Sequence, residues 1–476
     1  MTIIRQLREC IDLTALHHYH PSRYPYLLQS AAQTSHQTHF DILFACPQRT
    51  LVLTAQNRLD WIMPPDTTTV RSGLPAPDDL ASANGDFLNA FERCWRSEQT
   101  TGHENYKKTA GIPFGGGWFL YLGYELAQQI EPSLELPEDS NENLPIAFAT
   151  RIPAAVVINR QTHDTFVVAE KAHQECIPVI ENDIQQVLAQ SPAAASPKST
   201  TSHIIKSIFE EPAERYINGV NQVKRYIRDG DVFQVNLSRC WDGELNPDIN
   251  NTYIYQRLLQ SNPAPFAALA TIGEHAIISS SPERLVRVTG NRVETRPIAG
   301  TRPRGQSANE DEAYLKELIG HPKERAEHIM LIDLERNDLG RVCLPGSVQV
   351  NELMALESYA HVHHIVSNVQ GELQANTSPS DIIRAVFPGG TITGCPKVRC
   401  MEIIAELEQV PRGAYTGSLG YVNHDGGMDM NILIRTLVRN EGRISLRAGA
   451  GIVYDSDPEA ELQETRAKAK GLLLAL

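Results

Sequence analysis

The stretch HAIISSSPERLVRVTGNRVETRPIAG, His275 to Gly300, decides the fold. It reads as two or three short strands, and Gly290-Asn291 marks a hairpin turn between two of them. A hairpin joins antiparallel strands, whereas parallel neighbours need a long crossover. Upstream, VFQVNLSRC alternates as a further strand. It follows a helical pattern in which Ile217, Val220, Val223 and Ile227 recur at three- and four-residue spacing, until Asp229-Gly230-Asp231 breaks it. Downstream the pattern predicts a helix from about Pro322 to Asn337, a strand near Ala360 to Gln370 and a helix after Pro396. Strands follow around Gly417 to Asn423, Asn431 to Arg439 and Ile444 to Ala448, and then a last helix. Nearer the N-terminus, HFDILFA and RTLVLTA alternate as strands, and DTFVVAEKAHQECIPVIENDIQQVLAQ reads as strand then helix. There is no regular βαβ period and no internal repeat. The expectation is an α+β fold with large, mainly antiparallel sheets.

A chain of 476 residues is long enough for one composite domain or two lobes. AQSPAAASPKSTTSH, Ala189 to His203, is poor in large apolar groups and reads as a linker or surface loop. It divides an N-terminal region, 1–190, from a region spanning 204–476, with the linker at 191–203. The net charge of -14 opposes general binding to nucleic acid or anionic membranes. No run of about 18 apolar residues predicts a membrane span. MTIIRQLREC lacks the apolar core of a signal peptide. Eight scattered cysteines without a C-x-x-C fit a reduced, cytoplasmic protein.

Several stretches offer chemistry. The last helix, in YDSDPEAELQETRAKAKGLL, has Asp457 as N-cap and Pro458 as its first residue. Glu461, Glu464 and Lys468 then share one face. PKERAEHIMLIDLERND places Glu324 and Glu327 three residues apart. Each set reads either as a solvated face or, if the two helices meet, as ligands for a hard divalent cation. Gly449 and Gly451, between a strand and a helix, are either a tight turn or backbone N–H groups approaching an anion. FPGGTITGCPK lacks the ending of a phosphate loop, because Pro396 separates Cys395 from Lys397. HVHH, His361 to His364, has no partner at a zinc spacing and reads mainly as strand histidines. In ETRPIAGTRPRG, Arg296, Arg302 and Arg304 would suit an anion, while Ile298-Ala299-Gly300-Thr301 is small and apolar.

Eight stretches in this order resemble the chorismate-utilising enzymes: QVNLSR, SPERLV, ETRPIAGTRPRG, ERAEHIMLIDLERNDLGRV, GGTITGCPKVRCMEII, GAYTGSLGY, ILIRT and GAGIVYDSDPEAELQETRAKA. The family includes component I of anthranilate synthase and of aminodeoxychorismate synthase, isochorismate synthase and salicylate synthase. The resemblance is dense from about Val220 onward. It is present earlier in YLLQS, HFDILFA and GGGWFLYLGYELAQQIEP. It implies two large, mainly antiparallel sheets packed as a sandwich with flanking helices, and one active site in the C-terminal part. It implies Mg²⁺ held by Glu327 and Glu464, with Glu324 and Glu461 in the same cluster. Arg435 and Tyr415 match residues that hold the enolpyruvyl carboxylate, helped by Gly449, Ala450, Gly451 and Lys468. His364 matches the histidine near the departing hydroxyl and Glu283 the general acid. Gly300 and Thr301 match positions that line the substrate ring. Hydroxide is a poor leaving group, so a carboxylic acid must supply a proton.

Two positions bear on the nucleophile. Relatives that add water carry lysine where this chain has Gln234, and an amide is no useful base at neutral pH. Aminodeoxychorismate synthases typically carry a nucleophilic lysine where this chain has Ala299, and anthranilate synthases carry alanine there. Against that, QVNLSR with Asn236, NPAPFAA and FPGGTITGCPK are closer to the aminodeoxychorismate synthase branch. That branch is the reading favoured here: amination of chorismate to 4-amino-4-deoxychorismate for 4-aminobenzoate and folate synthesis. Anthranilate synthase component I is the alternative, and a degenerate regulatory subunit is the non-enzymatic one. No cysteine lies in a glycine-flanked nucleophile elbow, so the expected source of ammonia is a separate glutamine amidotransferase subunit. YLLQS resembles the family's tryptophan-pocket motif, from which Gln29 and NPAPFAA depart.

Overall fold

The computed structural model describes residues 2–9, 11–31, 39–63, 85–99, 111–138, 144–189, 204–305, 307–320, 322–358 and 362–476. The expected linker, 191–203, lies outside the described residues. The strands form two large sheets with antiparallel pairing. The first runs Thr2–Leu7, Thr165–Glu170, Ala154–Asn159, Phe40–Ala45, Tyr26–Gln29, Phe266–Ile272, His275–Ser281, Thr436–Asn440, Arg443–Ile452, Gln234–Leu245 and Ile205–Glu210. The second runs Ile298–Pro303, Val362–Glu372, Arg292–Thr295, Arg284–Thr289, Met428–Asn431, Ser418–Asn423, Gly117–Leu122, Ala147–Ile152, Thr50–Leu53 and Leu59–Ile62.

The inner faces carry aromatic residues, and these make the sandwich core. Tyr26 of the first sheet stacks on Phe119 of the second, with centroids 4.1 Å apart. Phe44 meets Phe119 edge-on at 5.2 Å. Burying each such side chain contributes about 2–3 kcal/mol. Helices cover the outer faces. Leu13–Tyr19, Cys176–Ala189, Asn251–Ser261 and Pro458–Ala475 bury apolar residues on the first sheet. Phe87–Gln99, Pro322–Gly340 and Pro379–Val386 do so on the second. A smaller cluster joins the helices Ala213–Asp229 and Lys397–Glu408 to Val235 and Leu237.

Local signals act as expected. Tyr216, Val220 and Val223 are the buried face of their helix, and Gly230 ends it with a φ of 87°. Asp457 caps the last helix by accepting from the Ala460 amide at 2.9 Å. Gly290, at a φ of 64°, turns the hairpin between Arg284–Thr289 and Arg292–Thr295.

One expectation is corrected. Asn431 to Arg439 is not a single strand. Met428–Asn431 belongs to the second sheet and Thr436–Asn440 to the first, and the chain passes between them at Arg435, whose φ is 54°. His275–Ser281 and Arg284–Thr289 make the same passage at Pro282-Glu283. The two segments cross together as a ribbon: the Ser280 amide donates to the Arg435 carbonyl and the Ile432 amide to the Glu283 carbonyl, each at 3.0 Å. Hydrogen bonding therefore continues through a corner that belongs to both sheets.

Candidate active site

The ribbon corner puts Glu283 and Arg435 at the centre of the site. Glu283 is buried, and Thr391 Oγ1 donates to its Oε1 at 2.8 Å. Burial pushes its carboxyl up to about 7, against the opposing pull of hydrogen bonds and the charges of Arg435 and Lys468. It therefore holds a proton near neutral pH. Arg435 is shifted down, first by burial. Tyr415, Glu464 and Glu283 pull the other way, and no side chain among the described residues hydrogen-bonds its guanidinium. A desolvated cation in that condition favours an anionic ligand.

His364, on Val362–Glu372, pairs across the sheet with Thr301. Burial, then the Arg435 charge, lowers its imidazole to about 4, so it is neutral at pH 7. Opposite it, Ile298–Pro303 bulges between Ala299 and Thr301. Gly300 sits in the bulge at a φ of 67°, and a Cβ there would lie 2.4 Å from Glu324 Oε2 and 2.9 Å from Leu318 Cδ1. The small residues at 299 and 300 thus let the bulge lie close against Glu324 and Leu318. The side chain of Thr301 lies outside the described residues.

The arginines near this bulge are not free anion binders. Arg296 pairs with Glu352 at 2.5 Å and Glu357 at 2.6 Å. Arg302 pairs with Glu317 at 3.1 Å and Glu324 at 2.6 Å. Arg304 pairs with Asp311 at 2.9 Å. Asp311 also accepts from His363, whose other ring nitrogen meets Ser358, so the second histidine of HVHH is structural. His361 lies outside the described residues.

Gly449, Ala450 and Gly451 correct the tight-turn reading. They lie within the strand Arg443–Ile452, opposite Ser238, Leu237 and Asn236. The Thr436–Asn440 strand pairs only as far as Leu446, so one edge is open at the glycines. There Lys468 Nζ donates to the Gly449 carbonyl at 2.9 Å and pairs with Glu464 at 2.6 Å. Tyr415 is buried, and its Oη lies 2.8 Å from where a Gly449 Cβ would stand.

The four candidate metal ligands stand on two helices. Pro322–Gly340 packs on the Ile298–Pro303 and Val362–Glu372 strands, and Pro458–Ala475 on Arg443–Ile452. Glu324 faces Gly300, and Glu464 stands within electrostatic reach of Arg435. Glu327 and Glu461 are half-buried on the same two helices. Among the described residues no three His, Cys, Asp or Glu side chains form a closed cage. The donor chemistry fits a hard cation: Glu324 Oε2 is a buried carboxylate oxygen with no hydrogen bond.

Some of the surrounding residues had no sequence signal beyond their polarity. Arg412 binds Glu408 at 2.6 Å and also donates to the carbonyls of Asn236 and Ile392, which ties the Tyr415 turn to two flanking segments. Arg447 completes the group on Glu408 at 2.8 Å. Glu335 is pushed up to about 8 by burial and by Asp338, which pairs with Lys397 at 2.6 Å. Thr391 lies in GGTITG, where two hydroxyls among glycines were the available hint. Away from the site, Gln29 and Pro265-Phe266-Ala267 meet in one cavity of about 540 Å³ between the sheets.

The family profile described as chorismate binding enzyme matches residues 19–474. An anthranilate synthase component I-like protein of Synechocystis sp. is 44% identical over 408 residues, 85% of this chain and 80% of the relative. Aminodeoxychorismate synthase component 1 of Bacillus subtilis is 43% identical over 416 residues, 86% and 85% of the two chains. The crystal structure of anthranilate synthase component I from Streptococcus pneumoniae superposes with a TM-score of 0.73 at 30% identity, covering 92% of this chain and 93% of that one.

Proposed function

This chain belongs to the chorismate binding enzymes, and from that premise we propose that it aminates chorismate with ammonia to give 4-amino-4-deoxychorismate. The observation that carries the reading is the ribbon corner. A half-buried guanidinium with no side-chain hydrogen bond among the described residues stands within electrostatic reach of a carboxyl that keeps its proton to about pH 7. Chorismate is a dianion that must lose a hydroxyl, and this pair suits both needs.

In the proposed reaction Arg435, Tyr415 and Lys468 hold the enolpyruvyl carboxylate. Glu283 gives its proton to the hydroxyl on ring carbon 4, the C–O bond breaks, and water leaves. The ammonia lone pair forms the new C–N bond. The resulting ammonium group returns one proton to Glu283, which restores the acid. Neutral His364 stands near the departing hydroxyl as a hydrogen-bonding partner. Glu327 and Glu464, with Glu324 and Glu461, would hold Mg²⁺, which when bound withdraws charge from the ring carboxylate. Ala299 supplies no nucleophile, so substitution runs without a lysine adduct at that position. Ammonia comes from a glutamine amidotransferase subunit.

The choice of carbon 4 is supported by Asn236, NPAPFAA and FPGGTITGCPK, which resemble the aminodeoxychorismate synthase branch. Ala299 favours a second reading, anthranilate synthase component I, in which ammonia attacks ring carbon 2. Incubating the purified chain with chorismate, Mg²⁺ and ammonium, with and without aminodeoxychorismate lyase, separates the two. 4-Aminobenzoate formed only with the lyase is the expected result. Anthranilate formed without it assigns the second reading. Glutamine in place of ammonium should support turnover only when an amidotransferase subunit is added.

A further inference from the structure

Two thiols that the proposed reaction does not use stand together at the outer face of the first sheet. The Cys46 thiol is hydrogen-bonded to that of Cys176. Cys46 follows the Phe40–Ala45 strand and Cys176 opens the Cys176–Ala189 helix, so the fold brings them together from distant parts of the sequence. Both are free cysteines of one apolar cluster. Cys176 lies within it at 8% exposed, and half-buried Cys46 packs against it.

The bonds around the pair fix this approach. Cys176, Ile180 and Asp183 recur at four and three residues on the buried face of their helix. Asp183 accepts from the Tyr24 hydroxyl at 2.8 Å and pairs with Arg23. The Arg23 carbonyl in turn accepts from the Cys46 amide at 2.9 Å. Two residues further on, Gln48 Nε2 donates to a ring nitrogen of His173 at 3.2 Å, just before the helix begins. The segment that carries Cys46 is thus tied to the helix on both sides of the thiols. Cys46 also holds a φ of 58°, a backbone that residues with a Cβ adopt at a cost. A free cysteine often serves as a small apolar filler. Filling does not call for a half-buried thiol on such backbone, turned toward a second thiol.

An S–S bond is about 2.0 Å long, and thiols already in contact reach it by side-chain rotation and a small approach. We propose that Cys46 and Cys176 are a redox modification site, a dithiol that a hydroperoxide converts to a disulfide. The Cys46 sulfur, the more exposed of the two, attacks the peroxide. An S–O bond forms, the O–O bond breaks, and the first water leaves with the Cys46 thiol proton. The Cys176 sulfur then attacks the Cys46 sulfur. The S–S bond forms, the S–O bond breaks, and the second water carries off the Cys176 proton. Each sulfur is oxidised by one electron, and the peroxide takes up the two. The Cys176 thiol, then burial, raises the proton affinity of Cys46 against the pull of Arg23. Thiolate is therefore scarce and the reaction slow at neutral pH. The site is independent of the amination reading.

Peptide mapping of the full chain tests it. The folded protein is treated with hydrogen peroxide, quenched with catalase, alkylated, digested and analysed by mass spectrometry. Of its eight thiols, two should be lost. The peptides of Cys46 and Cys176 should be recovered joined, lighter than their sum by two hydrogens, and dithiothreitol should part them. Cys240 and Cys395, which are also half-buried, should remain open to alkylation at the same dose. Cys176→Ser should abolish the joined peptide and leave Cys46 to accumulate as the sulfenic acid, which dimedone traps. Unfolding in urea before the oxidant is added should scatter the pairing among the cysteines. The mapping itself needs no variant, so a serine variant that fails to fold leaves the test intact. Survival of both thiols at a dose that oxidises Cys240 or Cys395 overturns the proposal. So does another cysteine pair joined in comparable yield, or a yield of the Cys46–Cys176 link that urea leaves unchanged.

Discussion

Glu283 shows how one residue's chemistry follows from its position. A carboxyl in water ionises near 4.3, and burial moves this one up to about 7. In the proposed reaction the acid form is the working form. At constant free ammonia, kcat/KM for chorismate should therefore fall as pH rises through about 7, and a pH–rate profile reads that limb directly. Glu283→Gln, which keeps the shape and loses the proton, should lower kcat by about 10²–10⁴ and leave the KM for chorismate little changed. An unshifted alkaline limb in that variant would assign the titration to another group. Glu283 was legible through SPERLV. Its proton affinity was not, because that is set by burial between the sheets, opposed by Thr391, Arg435 and Lys468, each far away in sequence.

At the scale of single elements, the bulge in Ile298–Pro303 carries the most consequence. Gly300 adopts a left-handed φ and lets Glu324 and Leu318 approach where a side chain would stand. Gly300→Ala should cost about 1–3 kcal/mol of stability, from the left-handed backbone and the crowding together. Urea unfolding measures it, and a loss under 0.5 kcal/mol, roughly the scale of an ordinary surface change, would mean that the bulge relaxes freely. The strand reading around Asn431 failed for a related reason. MDMNILIRTLV has no glycine, proline or polar cluster to announce a turn. The passage at Arg435 is made by an arginine with positive φ. Such backbone is held by surrounding structure, here the bonds at Ser280 and Ile432, and local pattern cannot report it. The glycines at 449 and 451 misled in the opposite direction. They look like a turn and are strand residues kept small by the amides beside them.

For the whole molecule, the division suggested by the low-complexity stretch does not separate the sheets. Tyr26–Gln29 pairs with Phe266–Ile272, and Gly117–Leu122 pairs with Ser418–Asn423. A chain of residues 204–476 alone would expose Leu419, Leu269 and their neighbours and leave both sheets with open edges. Such a truncation should lack cooperative thermal unfolding, as judged by circular dichroism. A sharp transition comparable to that of the full chain would show instead that the C-terminal strands close on themselves. Among the described residues no helix is long and apolar enough to cross a membrane. The arginines at 296, 302 and 304 are each ion-paired with a carboxylate, whereas Arg435 feels Glu283 and Glu464 only through space, with no ion pair among the described residues.

The ribbon corner has a mechanical consequence as well. Glu283 and Arg435 ride on paired segments whose amides and carbonyls bond to each other. When the two sheets slide or tilt, the pair travels as one body, and the spacing between Glu283 and Arg435 is preserved. The candidate carboxylates stand on two helices packed on different sheets, Pro322–Gly340 on the second and Pro458–Ala475 on the first, so their separation follows the motion. On the proposed roles, strain applied to the sandwich should thus disturb Mg²⁺ affinity before it disturbs proton delivery.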